Sequence, residues 1–208
     1  MDLILLQPGD ATLFTGPGGG GANGWATGGS LVNTTDWGSG GDPTVQNFDG
    51  TPAIPFSGNA FIELVSIHQG IKQQMTTDVS NSARTSGRPI ITEFTCVKYV
   101  DKLSVKFFDL CLRAKPLGAG KTQPTMIYIM RNSGDKTANI LTMALRDAMI
   151  SEIQFQSNPD DMPTEQFKLN FTEILWKYTV QLADTKTAGV VPAGWSIARN
   201  RPIGDFTD

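Results

Sequence analysis

From Asn59 onward the chain is a succession of short apolar runs of strand length, each closed by a turn signal, and only one run keeps helical spacing. That pattern constrains the fold more than any single motif, because periods of 2 and 3.6 bury different faces and cannot substitute for one another. Phe61, Ile62, Leu64, Val65, Ile67 and Ile71 form a partly alternating segment; a polar, turn-prone stretch follows over 80–89, and 90–100 is β-rich again. Residues 125–131, 140–146 and 150–156 read as further strands, with Asn132-Ser133-Gly134-Asp135 and Ser157-Asn158-Pro159-Asp160 as turns. In the exception, Asp101 offers an N-cap and Leu103, Phe107, Leu110, Cys111 and Ala114 share one helical face before Pro116 and Gly118. The spacing predicts one helix over about 101–114.

The last long segment has a parity conflict. Phe167, Leu169 and Phe171 occupy one parity, but Ile174, Trp176, Tyr178, Val180 and Leu182 occupy the other. A flat strand would expose half of them, and a β-bulge near Thr172-Glu173 would restore one buried face. Six or more strands around one helix predict a mainly β chain, a sandwich or barrel with the helix as plug or cover.

Residues 1–58 follow different rules. After an apolar strand over 2–7, the pair Pro8-Gly9 opens a region in which 13 of the 22 glycines fall between positions 16 and 58, with no regular period. Ordering so much glycine is entropically costly, so 8–58 is read as a long inserted loop. It also carries Phe14, Trp25, Trp37 and Phe48, more aromatic surface than a solvated linker needs, and is expected to dock on a surface such as a neighbouring chain's.

Charge divides the chain the same way. Residues 1–71 hold six acids (Asp2, Asp10, Asp36, Asp42, Asp49, Glu63) and no Lys or Arg, hence −6; the remainder carries 17 basic groups against 14 acids, hence +3. A total of −3 argues against a nucleic-acid binder, which would be basic as a domain. No apolar run reaches the roughly 18–20 residues needed to span a bilayer, and the run over 3–6 lacks the length and basic flank of a signal peptide. Cys96 and Cys111 are too few for a disulfide framework and too far apart for a redox or zinc pair, and read as buried free thiols.

Catalytic signatures fail on inspection. Gly118-Ala119-Gly120-Lys121-Thr122 ends like a phosphate-binding loop, yet the first glycine of that pattern would fall at Lys115, and the segment follows a helix and precedes a strand. His68, the only histidine, reads as a strand residue and Cys111 as part of the helix stripe, not as a catalytic pair. Asp160-Asp161 and Asp147/Glu152 are paired by proximity alone, and Gly18 to Gly21 is no dinucleotide fingerprint. The expectation is no enzyme: no catalytic residues, no cofactor and no metal site.

Between about Asn59 and Trp195 the chain resembles the hemolysin-coregulated protein (Hcp) family, the tube protein of bacterial type VI secretion systems. The matching blocks are the strand and loop over 61–89, ending in Thr85-Ser86-Gly87-Arg88-Pro89; Phe94-Thr95-Cys96-Val97-Lys98-Tyr99-Val100-Asp101; Ile150-Ser151; Glu165 with Leu169-Asn170-Phe171; and Ala193-Gly194-Trp195-Ser196. The family commonly has Ser-Pro at the helix start, where this chain has Ser104-Val105, and a much shorter connection than 8–58. The resemblance implies a β-barrel of two packed antiparallel sheets with one α-helix, forming one domain over 1–208 with the barrel core at 59–200. It implies homo-hexameric rings that stack into a hollow tube, with sheath, spike and baseplate proteins as partners and effector proteins in the lumen. It implies residence in the bacterial cytoplasm before firing, then secretion or delivery to target cells, with no membrane insertion and no fused effector domain.

Trp25, Trp37 and the two arginines of the turn-prone stretch, Arg84 and Arg88, are the subunit-interface candidates. The acid-rich first third is expected to meet basic surface of an adjacent subunit, making assembly salt-sensitive, and the glycine-rich loop is expected to order when rings or a sheath dock. Two other readings share the residues: a tail-tube subunit of a phage or related contractile injection particle, and a β-sandwich module using Trp25, Trp37 and Trp195 as stacking platforms for sugar or peptide ligands.

Overall fold

The structure, a computed structural model, describes residues 3–10, 13, 61–73, 75–77, 84–101, 103–132, 137–181 and 187–208. In chain order the strands are β1 (Leu3–Gln7), β2 (Ile62–Leu64), β3 (Ser66–His68), β4 (Ile71–Lys72), β5 (Met75–Thr77), β6 (Arg84–Ser86), β7 (Ile90–Ile91) and β8 (Phe94–Tyr99). The helix α1 (Ser104–Leu112) follows, then β9 (Thr125–Asn132), β10 (Thr137–Arg146), β11 (Met149–Gln156), β12 (Thr164–Asn170), β13 (Glu173–Gln181), β14 (Thr187–Ser196) and β15 (Arg201–Pro202). A seven-stranded sheet runs β15-β14-β13-β10-β9-β1-β2, and a four-stranded sheet runs β11-β12-β8-β3. All pairings are antiparallel. The mainly β fold with a single helix among the described residues is the expected class; most of the glycine-rich segment, with Trp25 and Trp37, lies outside the described residues.

The main core lies between the sheets. Leu6, Ile127, Leu145 and Ile174 from the large sheet meet Phe94, Cys96, Phe167 and Leu169 from the small one, and Leu103, Phe107 and Leu110 of the helix region close the same cluster. Phe107 meets Phe167 edge-on, centroids 5.0 Å apart. The alternate residues Leu5, Tyr128, Ala144 and Leu175 form a second buried cluster on the opposite face of the large sheet, with Phe61 and Phe206. The middle strands of the large sheet are therefore apolar on both sides, and the small sheet on one.

The parity conflict at 172 has a different solution from a bulge. β12 belongs to the small sheet and β13 to the large one, so the chain changes sheets through Phe171 and Thr172 and each strand keeps its own inward parity. The crossing from β10 to β11 lies against it: Asp147 adopts φ 51°, and Thr172 donates its N–H to the Arg146 carbonyl at 3.1 Å. Beyond the corner Tyr178 faces outward, so that parity is not buried throughout.

Helix boundaries also differ from the expectation. Leu103 flanks the first turn, while Asp101 stands two residues earlier and accepts the Leu103 N–H on Oδ1 at 2.8 Å. At the far end Ala114, at φ 49°, donates to the Cys111 carbonyl and Lys115 to that of Leu110, a left-handed C-terminal turn that stops the helix before Pro116. Ala114 is consequently exposed, and Cys111 only half-buried.

Candidate assembly surfaces

Lys98 is the residue around which the helix start is organised. Its Nζ lies 2.9 Å from Glu165 Oε1 and 2.8 Å from Asp101 Oδ1, and donates to Ser104 Oγ at 3.2 Å. Ser104 in turn donates to Glu165 at 3.0 Å, and the ammonium lies 5.6 Å from the centre of the Phe107 ring. Both charged side chains of the Lys98–Glu165 pair are essentially inaccessible to water. The pair links β8, β12 and the first turn of α1, which locks the helix on the small sheet. The sequence blocks ending in Lys98-Tyr99-Val100-Asp101 and containing Glu165 thus carry a structural joint, not a reactive centre.

Among the described residues, the outward face of the small sheet is half-buried to exposed and largely polar. Cross-strand partners share a face, so its register lays rows across it: Gln154, Gln166, Val97 and Ser66 in one, Glu152, Lys168, Thr95 and His68 in the next. The charged pair on it is neutralised internally, Lys168 Nζ being 2.5 Å from Glu152 Oε2. That hydrogen bond holds the Glu152 carboxyl below, and the Lys168 ammonium above, its usual range. A shallow cleft of about 440 Å³ at this face is lined by His68, Gly70, Thr92, Glu93 and Lys168. Among the described residues, β11 and β3 each pair with only one strand of the sheet; Met149 at the start of β11 also bridges to Pro116, and the rest of both outer edges is unpaired by strands.

From the β3 end a β-arm extends. Ser66–His68 pairs with Thr95 to Val97, β4 with β7 and β5 with β6, the register slipping by one residue at each break. Thr92 and Gly70 exchange hydrogen bonds at the first break. Ile71, Met75 and Ile90 stand exposed along it. Arg84 opens β6, opposite Thr77; Arg88 lies after β6 and donates to the Ile197 carbonyl at 2.5 Å.

A polar clamp holds the end of the described chain. Arg146 Nη1 donates to Glu173 Oε2 at 3.0 Å, and Glu173 also accepts the Thr207 N–H at 3.0 Å and the Thr207 hydroxyl at 2.5 Å. Burial by itself would raise the Glu173 carboxyl, but the donors from Thr207, Ser196 and Arg146 outweigh it and bring it to about 2. Phe206 beside it is packed into the second cluster, and Lys121 pairs with Asp208. Sequence reading missed this clamp because its members, Arg146, Glu173 and Thr207, are isolated polar residues far apart in the chain.

The remaining candidates are placed as follows. Gly118 packs against backbone: a Cβ there would come 2.1 Å from the Gln123 carbonyl oxygen, and the Gly120 N–H donates to Asp147 Oδ1 at 2.7 Å. The loop that ends like a phosphate cradle is therefore a tight connection. His68 lies on β3 and Cys111 on α1, which packs on β11 at the other end of the sheet, so the two are not brought together. Asp147 and Glu152 each face their own cation, Arg146 and Lys168. Cys96 is buried, its thiol pushed up to about 12 by desolvation. Trp195 is half-buried against the main core, which removes it as an exposed stacking platform. Among the described residues no group of three or more His, Cys, Asp or Glu could hold a metal, and no helix is long and apolar enough to cross a membrane.

Comparison with known proteins agrees with this geometry. Curated proteins give no match. Among solved structures, a protein titled as belonging to a type six secretion system superposes with a TM-score of 0.61 at 20% identity, covering 69% of this chain and 86% of that one. Hcp1 from Salmonella typhimurium gives 0.58 at 16% identity, covering 97% and 99%. Another Hcp protein gives 0.54 at 12% identity, covering 94% and 98%. At these identities the likeness establishes the fold. Residues 58–178, more than half of the chain, match the family described as type VI secretion system effector, Hcp, and the chain belongs to that family.

Proposed function

We propose that the chain is the ring-forming subunit of a type VI inner tube, six copies closing into a ring and rings stacking into a hollow tube that carries or delivers effector proteins. The observation that carries this reading is the contrast between the sheets. The large sheet is buried on both faces over its middle strands, whereas the small one, among the described residues, has end strands β3 and β11 that each pair with a single strand of the sheet and an outward face of amides, hydroxyls, Val97, His68 and one self-neutralised ion pair. A sheet open at both ends can be continued by the same sheet of another copy, β3 of one beside β11 of the next, and a head-to-tail contact that closes makes a ring. Its polar face then surrounds a water-filled lumen past which folded cargo slides without adhering. The arm, with Ile71, Met75 and Ile90 exposed, suits the second, non-closing contact between rings.

In this reading the protein works by shape, with no reaction of its own; it waits in the bacterial cytoplasm and leaves when a contracting sheath drives the tube outward, with spike and baseplate proteins as its other partners. Sedimentation velocity of the purified chain tests it. A boundary at six chain masses is expected, and a boundary at one chain mass up to high concentration would overturn the reading.

A further inference from the structure

Helix α1 is apolar on two sides. Ser104, Phe107 and Leu110 face the core, but Val105, Phe108 and Leu112 form a second row, with Val105 68% and Leu112 87% exposed and Phe108 half-buried. A lone surface leucine needs no explanation. A row at helical spacing does, because a helix apolar all round is normally enclosed. The row is bordered by Lys106 and Arg113, which share a single carboxylate, Asp109, at 3.5 and 2.6 Å, so the border is net basic.

The fold places a matching surface at the far end of the same sheet. Helix α1 packs on β11, one end strand; the other end strand is β3, and the corner leading into it from β2 exposes Glu63 and Val65. One end of the sheet thus presents an apolar row with a basic border, and the other an exposed valine beside an exposed acid. We propose that the occupant of the helix row is a second copy of this chain: the Glu63 and Val65 corner of one subunit seats on the Val105 and Leu112 row of the next, Glu63 facing the Lys106 and Arg113 cations. The contact joins opposite ends of the subunit, so it repeats head to tail, and it rests on the ring reading while assigning that ring a joint.

The test pairs Val65→Cys with Val105→Cys in one chain carrying Cys111→Ser; Cys96 is buried and its thiol protonated. Mild oxidation should give a ladder of cross-linked chains up to six, and neither single-cysteine control should give one. Independently, Leu112→Asp should lower the assembled fraction at least tenfold without moving the thermal midpoint of the subunit, because that side chain lies almost wholly in solvent. Glu63→Lys should weaken assembly, and adding Lys106→Glu should restore it. Full-sized rings from Leu112→Asp, with no interchain disulfide in the paired-cysteine chain, overturn the joint, leave the ring standing and assign the helix row to a partner other than this chain. An unsubstituted chain that stays monomeric overturns the ring reading and the joint together.

Discussion

Lys98 and Glu165 show how a charged pair can hold one helix in one place. Removing two charges from water costs several kcal/mol, and their attraction offsets that only when the geometry is good and the remaining protons find acceptors. Here Lys98 has Glu165, Asp101 and Ser104 within 3.2 Å, although Glu165 Oε2 has no partner. Lys98→Met leaves the buried Glu165 carboxylate without its cation, with only the Ser104 hydroxyl as donor, and is predicted to lower unfolding free energy by about 3–5 kcal/mol. Lys98→Met combined with Glu165→Leu should lose less than that, and urea denaturation would show it; a double variant as unstable as the single would contradict the pairwise account. Ala114 makes a second residue-scale prediction. Its left-handed conformation, φ 49°, costs a residue with a Cβ about 1–2 kcal/mol. Ala114→Gly should therefore raise the thermal midpoint, the gain reduced by glycine's greater freedom in the unfolded chain.

At the scale of elements, the clamp on the last residues is tied to pH. Glu173 is shifted down from 4.5 to about 2, so its contribution to stability is complete above the unfolded value and is lost as pH falls from about 4.5 through 2. Two and a half units correspond to about 3 kcal/mol. Glu173→Gln should lose stability at pH 7 and flatten that part of the pH profile; profiles of equal slope for the two proteins would contradict the assignment. The element scale also shows what sequence alone can reveal. Strands β9 to β12 were legible to within a few residues because their alternation is strong and their turns carry Asn, Asp, Gly and Pro. The sheet change at Phe171 and Thr172 looked like a bulge, because both solutions shift parity and only the partner strands distinguish them. Strand β14 escaped notice: Val190, Val191, Pro192 and Ala193 are a run of exposed residues with no alternation to read. The candidate assembly surfaces were legible only in part, since an unpaired sheet edge is a property of pairing and no residue announces it.

For the whole molecule, two sheets that enclose one core also divide the surface into unlike parts. The large sheet is buried on both faces over its middle strands, while β14 towards its edge exposes Val190 and Val191. The small sheet keeps a largely hydrophilic face and two end strands that each pair with one strand of the sheet among the described residues, with a projecting arm at one end and a helix with a spare apolar row at the other. An isolated subunit would gain nothing from this combination, and open ends are a hazard for it. The proposed ring and tube would use all of them, the sheet ends and helix row in the closing contact, the hydrophilic face in the lumen and the arm between rings. Electron microscopy of the purified chain in negative stain tests this most directly: annular particles with sixfold symmetry and a stain-filled centre are predicted, and uniformly small particles without a central hole, on grids prepared across a wide range of protein concentration, would contradict the account.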